Sequence, residues 1–428
     1  MTSRTPLGRA DLLASSVIRE TRRAGFSLDS VTAVGSIRRF APDIGDVSLL
    51  GIAAAARHGQ ILKAFARLPV VSEVKAAGSR DITIRTGRGD VTLHLAVPEQ
   101  AGAALLWHTG SRAHVDLLRL RAQRAGLRFD DGILSRAGEA AVVDCAREED
   151  VYAALDLPFI APELRSGDDE IDAAERGTLP ILLSEEHIRG DLHMHSNWSD
   201  GRNSIADMVS AGKQLGYDYL AITDHSERAW SSRKLALTDI QKQRDEIDML
   251  RSRVRGIEIL HGVEVDIMAD GSLDFDDRVL EGFDIVLASL HDPADQDHLR
   301  LTERYLRAIR HPLVNVITHP ANRSPAVSPG YNVDFDRLFE AAAQTGTAME
   351  VDGAPGHLDM DGRVARRAVA AGVTVVVDSD CHRVESLSRQ MRFGVGTARR
   401  GWLGPDHVLN TRSVTDVHAF VARKRARR

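Results

Sequence analysis

Seven short apolar runs, rich in β-branched residues, follow one another between residues 190 and 382, and each stops at a histidine or a carboxylate. The first ends in Asp191-Leu-His193-Met-His195; the others end at Asp224-His225, Glu264, His291, His319, Glu350 and Asp380-Cys-His382. The runs are nearly uninterrupted rather than alternating, as strands buried on both faces of a parallel sheet should be. Helix-like stretches lie between them, among them 204–215, 238–253, 334–344 and 362–371. Strand and helix alternate seven times, which predicts a closed (β/α) barrel with its chemistry at the carboxyl ends of the strands.

Imidazoles two apart on a strand, as at His193 and His195, point the same way and can grip one cation. A lone histidine is rarely a ligand, and the chain has 17. His58, His94, His108, His114, His187, His298, His311, His357, His407 and His418 read as ordinary surface or core residues, and His261 has no neighbouring carboxylate partner. Shared position at strand ends singles out nine others: His193, His195, Asp200, His225, Glu264, His291, His319, Asp380 and His382. Nine donors are too many for one ion. Mixed imidazoles and carboxylates suit Zn2+, Mn2+ or Fe2+ better than Ca2+, and with a bridging carboxylate they would serve two or three ions. Such centres activate water and offset charge developing on phosphate. Phosphoester hydrolysis is therefore the leading chemistry, with amide or amine hydrolysis as the rival.

A formal net charge of −6, from 55 Lys+Arg against 61 Asp+Glu, gives no global attraction for nucleic acid, so any polyanion site must be local. Only Cys145 and Cys381 are present, too few for a disulfide framework and in keeping with a reduced compartment. No charged-then-apolar leader opens the chain, and no apolar stretch approaches the roughly 20 residues that span a bilayer. A soluble, cytoplasmic protein with no membrane partner is the expectation. The basic tail 423–428 reads as a frayed, solvated terminus.

Composition shifts around 163–170 and again at 177–180, which places a linker at 166–186 ahead of a barrel over 187–428. Periodicity predicts a helix at 8–24, strands at 30–35 and 44–51, a helix at 53–66, and strands at 81–86 and 90–97. Residues 1–98 thus form a small α+β sheet domain. Helical periodicity at 101–109, 112–125 and 147–155 makes 99–165 a mostly helical subdomain.

The ordered series His-x-His, Ser-Asp-Gly, Thr-Asp-His, Gly-Val-Glu, Ser-Leu-His, Thr-His-Pro and Asp-Cys-His, running through 187–428, resembles the PHP (polymerase and histidinol phosphatase) domain. The resemblance implies a distorted (β/α)7 barrel holding a trinuclear metal site. It implies that His193, His195, Glu264 and Asp380 hold one ion, that Glu264 bridges to a second with His291 and His319, and that Asp200, His225 and His382 hold a third. Asp224 is expected to orient a neighbouring ligand from behind. Arg323 and Arg228 are candidates for substrate phosphate, or else plain surface arginines.

The front portion resembles the nucleotidyltransferase-like palm of bacterial family X DNA polymerases, in which a PHP domain is fused at the carboxyl end. Gly35-Ser36-Ile-Arg38-Arg39 matches that family's triphosphate-gripping motif, and Thr109-Gly110-Ser111 its later nucleotide-contacting turn in a thumb-like region. Similarity continues through 148–155 and 158–164. With Asp46, these glycines, hydroxyls and Arg38 are the nucleotide and cofactor contacts that the resemblance implies. The departures carry as much weight. The family's Gly-Asp-x-Asp reads Gly45-Asp46-Val47-Ser48 and its Val-Asp-Leu reads Val91-Thr92-Leu93, so one of three Mg2+-binding carboxylates remains. Neutral hydroxyls cannot balance the divalent ions on which nucleotide addition depends. Asp90 shares a strand face with Thr92 but lies about 6.6 Å along it, too far to substitute. Residues 1–34 are also too few for the family's leading helical DNA-binding region, so a weaker grip on DNA is expected.

The expectation is a metal-dependent phosphoesterase, a 3′→5′ exonuclease on DNA ends or short oligonucleotides, with a degenerate palm kept as a binding platform for DNA or nucleotides. Three alternatives stand beside it: an active polymerase using Asp46, a histidinol-phosphatase-like phosphomonoesterase, and a non-catalytic nucleotide- or DNA-binding regulator with a structural metal.

Overall fold

The structure, a computed structural model, describes residues 4–138, 141–292 and 296–426, and the chain divides into two compact units, Met1–Leu179 and Pro180–Arg428. Residues 427 and 428 of the basic tail lie outside the described residues. No described helix is long and apolar enough to cross a membrane.

The first unit opens with a helix, Leu7–Arg23, whose buried Leu7, Ala10, Leu13, Ala14 and Val17 recur at three- and four-residue spacing and form one apolar face. It accompanies a five-stranded sheet of β1 (Ser30–Ala33), β2 (Val47–Ile52), β3 (Val71–Ala77), β4 (Asp81–Thr86) and β5 (Gly89–Ala96), in the order β1-β2-β5-β4-β3. Only the β2/β5 pair is parallel, and it sets Ser48 directly opposite Thr92. The edge strand β3 escapes a sequence reading because six of its seven residues are exposed and two register shifts interrupt its pairing. The expected mostly helical subdomain also contains a hairpin, Leu127–Asp130 with Ile133–Arg136. Its turn is Asp131-Gly132, with φ of +51° and +73°, and an Asp-Gly pair is the sequence signal for such a turn. The segment expected as a linker contains a helix, Glu170–Glu175, with Glu170 fully buried against His114 in this unit.

The second unit is a sheet of seven parallel strands in sequence order: β6 (Gly190–Asp191), β7 (Tyr219–Ile222), β8 (Glu258–Asp266), β9 (Ile285–Ser289), β10 (Val316–Ile317), β11 (Ala348–Asp352) and β12 (Val375–Asp378). A bridge between Met194 and Cys381 brings its two ends together into a nearly closed barrel. Carboxylates and an amide stitch this seam: Asp191 accepts from the Ser379 amide, Asp378 from the Leu192 amide, and Asn410 donates to the Gly190 and Val377 carbonyls. Strand periodicity sorts the side chains. Leu260, Leu287, Val316, Ala348 and Val376 fill the interior with Leu409, Val417, Phe420 and Val421, while Val263, Val286, Met349 and Val377 pack outward with the helices. Two residues further along the inner face the strands turn polar, at Ser289, Thr318, Glu350 and Asp378, and Glu264 lies four residues beyond Leu260. The barrel floor is thus apolar and its mouth ionisable.

The carboxyl-terminal stretch is not frayed through residue 426. Helix Val414–Arg425 plugs the floor, and the Lys424 ammonium, 2 % exposed, donates to the Ile309 carbonyl and the Thr347 hydroxyl. The sequence hides this role because a lysine is almost never fully buried unless its ammonium is paired, and those partners come from distant segments.

Candidate metal centre

The mouth is built by strand ends. His193 and His195 follow β6, Asp200 lies in the loop after them, His225 follows β7, and Glu264 sits near the end of β8. His291 follows β9, His319 follows β10, and Asp380 and His382 follow β12. His319 and Asp380 hold positive φ, +24° and +48°, conformations disfavoured for residues with a Cβ and maintained only where surrounding structure enforces them.

Glu264 is the centre of the constellation. Its Oε2 lies 2.8 Å from His225 Nδ1, 3.5 Å from His193 Nε2 and 3.6 Å from His195 Nε2. Its Oε1 lies 2.9 Å from His319 Nε2 and 3.4 Å from His291 Nε2, and accepts from the Thr318 hydroxyl. One carboxylate therefore faces imidazoles on both oxygens. Asp380 Oδ1 is 3.1 Å from His195 Nε2 and 3.6 Å from His193 Nε2. On the outer side Asp200 Oδ1 is 3.2 Å from His382 Nε2 and 3.5 Å from His225 Nε2. All nine sequence candidates are gathered in one mouth. Donor atoms close enough to share an ion group as His193, His195 and Asp380; as His225, Glu264 and His291; and as His195, Asp200, His225 and His382.

Electrostatics hold the carboxylates charged. Burial works against the Glu264 anion, but the His291, His193 and His225 rings overcome it and keep its carboxyl well below the usual range. Asp380 follows the same pattern with His193 and His382. Behind them burial raises Asp191 to about 6, and burial with Asp191 and Glu350 nearby raises Asp378 well above its ordinary value, which suits the hydrogen-bonded seam these two form. The donor set fits divalent cations on a direct observation: Glu264 Oε2, His225 Nδ1 and Asp200 Oδ1 are buried and meet their neighbours as ion-pair contacts without hydrogen-bond geometry, and His195 Nδ1 is buried with no partner, a cost of about 1–3 kcal/mol for the last unless something compensates.

Several supporting residues went unrecognised in the sequence. Glu350 holds His193 Nδ1 at 2.7 Å and accepts from the His319 amide, and Asp266 holds His291 Nδ1 at 2.6 Å. Both had a signal: Glu350 ends its run where the others carry ligands, and Asp266 is two residues beyond Glu264 on the same strand face. His357, grouped with the ordinary histidines, stacks on His319 at 4.9 Å and 18°. Asp224 touches no imidazole through its hydrogen bonds; it accepts from Ser196, Ser199 and Gln243 and so anchors the loop leading to Asp200. Gln243 in turn bonds His261 Nε2. Arg323 pairs with Asp361 at 3.1 Å and Arg228 with Asp274 at 3.4 Å.

In the first unit Gly35, at φ +66°, opens the short helix Gly35–Arg38. Arg38 is bound through two nitrogens to Glu148, at 2.8 and 2.6 Å, and donates to the Thr109 hydroxyl. Gly110, at φ +68°, lies against Arg39, and Ser111 caps helix Arg112–Arg124 by accepting from the His114 amide. The Gly-Ser segment and the Thr109-Gly110-Ser111 turn are therefore neighbours. Elsewhere on the sheet the Ser48 hydroxyl donates to Asp46 at 2.6 Å and Thr92 pairs with Thr83 at 2.9 Å. Asp90 is held by Arg85 through two bonds.

Comparison with known proteins adds two family matches, the DNA polymerase beta thumb over residues 104–166 and the PHP domain over 191–327. The chain is 34 % identical to the DNA polymerase/3′-5′ exonuclease PolX of Bacillus subtilis across 98 % of its own length and 73 % of that protein's. It is 32 % identical to a probable phosphatase of Shewanella oneidensis across 46 % of this chain and 77 % of the relative. A solved polymerase beta of Leishmania infantum matches 38 % of this chain and 77 % of that one, at 19 % identity and a TM-score of 0.34, too loose a superposition to argue from.

Proposed function

This chain belongs to the bacterial PolX family, and from that membership we propose that its barrel is a 3′→5′ exonuclease acting on DNA ends and oligonucleotides, beside a palm that no longer polymerises. It is a hydrolase of phosphoester bonds. The observation that carries the reading is Glu264, a buried carboxylate with imidazoles on both oxygens. Two or three divalent cations in the mouth, Mn2+ or Zn2+ with Fe2+ also admitted by the donor types, would supply water activation and neutralisation of phosphate charge.

The chain's own residues do the positioning. Glu350 and Asp266 accept from the Nδ1 atoms of His193 and His291, which selects the tautomer whose Nε2 lone pair faces Glu264. Thr318 and the anchoring of the Ser196–Ser199 loop on Asp224 keep the remaining donors in place. Asp200, His291 and His382, the half-buried members of the set, line the side open to solvent, where a phosphodiester end would enter.

Loss of polymerisation is supported by Ser48, Thr92 and Asp46. The two hydroxyls stand where carboxylates are expected, and both are occupied within the sheet. Hydrolysis of end-labelled single- and double-stranded oligonucleotides in Mn2+ or Zn2+, with primer extension run in parallel, tests both parts. A ladder shortening from the 3′ end without extension is expected; extension products would overturn the palm reading, and inert oligonucleotides the exonuclease reading. A phosphomonoesterase is the second reading, favoured by the barrel's similarity to a probable phosphatase, and p-nitrophenyl phosphate hydrolysis exceeding that of oligonucleotides would establish it.

A further inference from the structure

At the inner edge of the mouth a group of donors lies outside the nine. Asp352, at the end of β11, is fully buried, and among the described residues its Oδ2 has no hydrogen-bond partner while its Oδ1 accepts the Ala354 amide. His357, in the loop that follows, presents a buried Nδ1 that also lacks a partner. One donor atom from each of these, together with a carboxylate oxygen of Asp380, lies within 4.8 Å of the other two, the span of ligands around a single ion. We propose that Asp352, His357 and Asp380 form an additional divalent-cation position, sharing Asp380 with the ion held by His193 and His195. The proposal rests on the reading that the mouth loads such cations.

The reason is one of charge and of unmet bonds. Asp352 is fully buried, and the like-charged Asp380 offers a carboxylate oxygen within 4.8 Å of one of its own. An anion at Asp352 needs a positive partner, and the described residues offer none that bonds it. A proton on Asp352 would remove the charge but would leave His357 Nδ1 without a bond in the geometry observed. A cation satisfies Asp352 and His357 at once, and the stacking of His357 on His319 holds its ring in register with the centre. Asp380 then acts as a bridge on one flank as Glu264 does in the middle.

The test is metal content. The full-length protein is loaded with Mn2+, freed of excess by dialysis, and its bound metal counted by elemental analysis, in wild type, His357→Ala and Asp352→Asn. Each variant should hold one equivalent fewer than wild type, and diffraction at the manganese edge should place an anomalous peak among Asp352, His357 and Asp380 in wild type alone. Because Asp352→Asn alters a buried carboxyl, circular dichroism accompanies each count, and the wild-type peak decides the matter should a variant unfold. Manganese elsewhere in the mouth with no peak here, and equal counts in folded variants, would overturn this position while leaving the phosphoesterase reading intact. A wild type that binds none of manganese, zinc and ferrous iron in the same assay overturns both.

Discussion

The Glu350 carboxylate lies 2.7 Å from His193 Nδ1 and so decides which nitrogen of that ring faces Glu264 and Asp380. An acceptor behind a ligating histidine commonly changes metal affinity ten- to a hundredfold. Glu350→Gln should weaken cation binding by about that factor, read by chelator competition, with the circular dichroism spectrum unchanged. Affinity equal to wild type would remove Glu350 from the centre's support.

His193→Ala and Asp380→Ala should each abolish oligonucleotide hydrolysis while the protein stays folded. Each removes one donor of the group formed with His195. Undiminished hydrolysis in both, measured with end-labelled substrate, would remove the metal mechanism.

In the palm, Asp46→Ala should leave hydrolysis by the barrel unchanged and primer extension undetectable, as in wild type. Among the described residues its hydrogen-bond partner is the Ser48 hydroxyl, and one carboxylate cannot hold two cations in line. Extension that disappears on this substitution would show that the palm still works.

Acid should weaken the first unit through His94 and His108, whose rings stack at 4.0 Å. Burial lowers both, and with His94 alongside it takes His108 down to about 3. The unfolded chain binds these protons near pH 6.5. The folded value is the lower one, so the stabilisation is complete above that pH and is lost as pH falls from about 6.5 toward 3. Thermal denaturation between pH 7.5 and 4 should show a shallower pH slope in His108→Gln than in wild type; identical slopes would contradict this.

At the barrel seam, Asn410→Ala should destabilise the second unit by roughly 2–4 kcal/mol, since the Gly190 and Val377 carbonyls and the Val377 amide would lose buried bonds. Urea unfolding followed by tryptophan fluorescence measures it, and a loss under about 0.5 kcal/mol, the scale of a surface substitution, would mean the seam does not depend on this amide.

Much of the centre was legible because strand side chains alternate. Once the runs ending at His225, Glu264, His291 and His319 are taken as parallel strands, their last inward residues must share one mouth. The same rule extends to Glu350 and Asp266, which lie at inward strand positions and hold His193 and His291. The edge strand Val71–Ala77 had no such signal, because a mostly exposed and irregular strand carries no buried face to pattern.

The sequence alone determined the parallel barrel and the ligand types at its mouth, since each depends on local periodicity and residue chemistry; that Ser48 and Thr92 replace palm carboxylates is what its resemblance to the family implies. Tertiary structure alone decided that Asp224 anchors a loop, that Arg38 is tied to Glu148, that Lys424 is buried in the barrel floor and that His357 meets Asp352 and Asp380. Those outcomes depend on which side chain arrives opposite another after distant segments pack. Burial then fixes the pairing, because a polar group removed from water must find a partner wherever the fold supplies one.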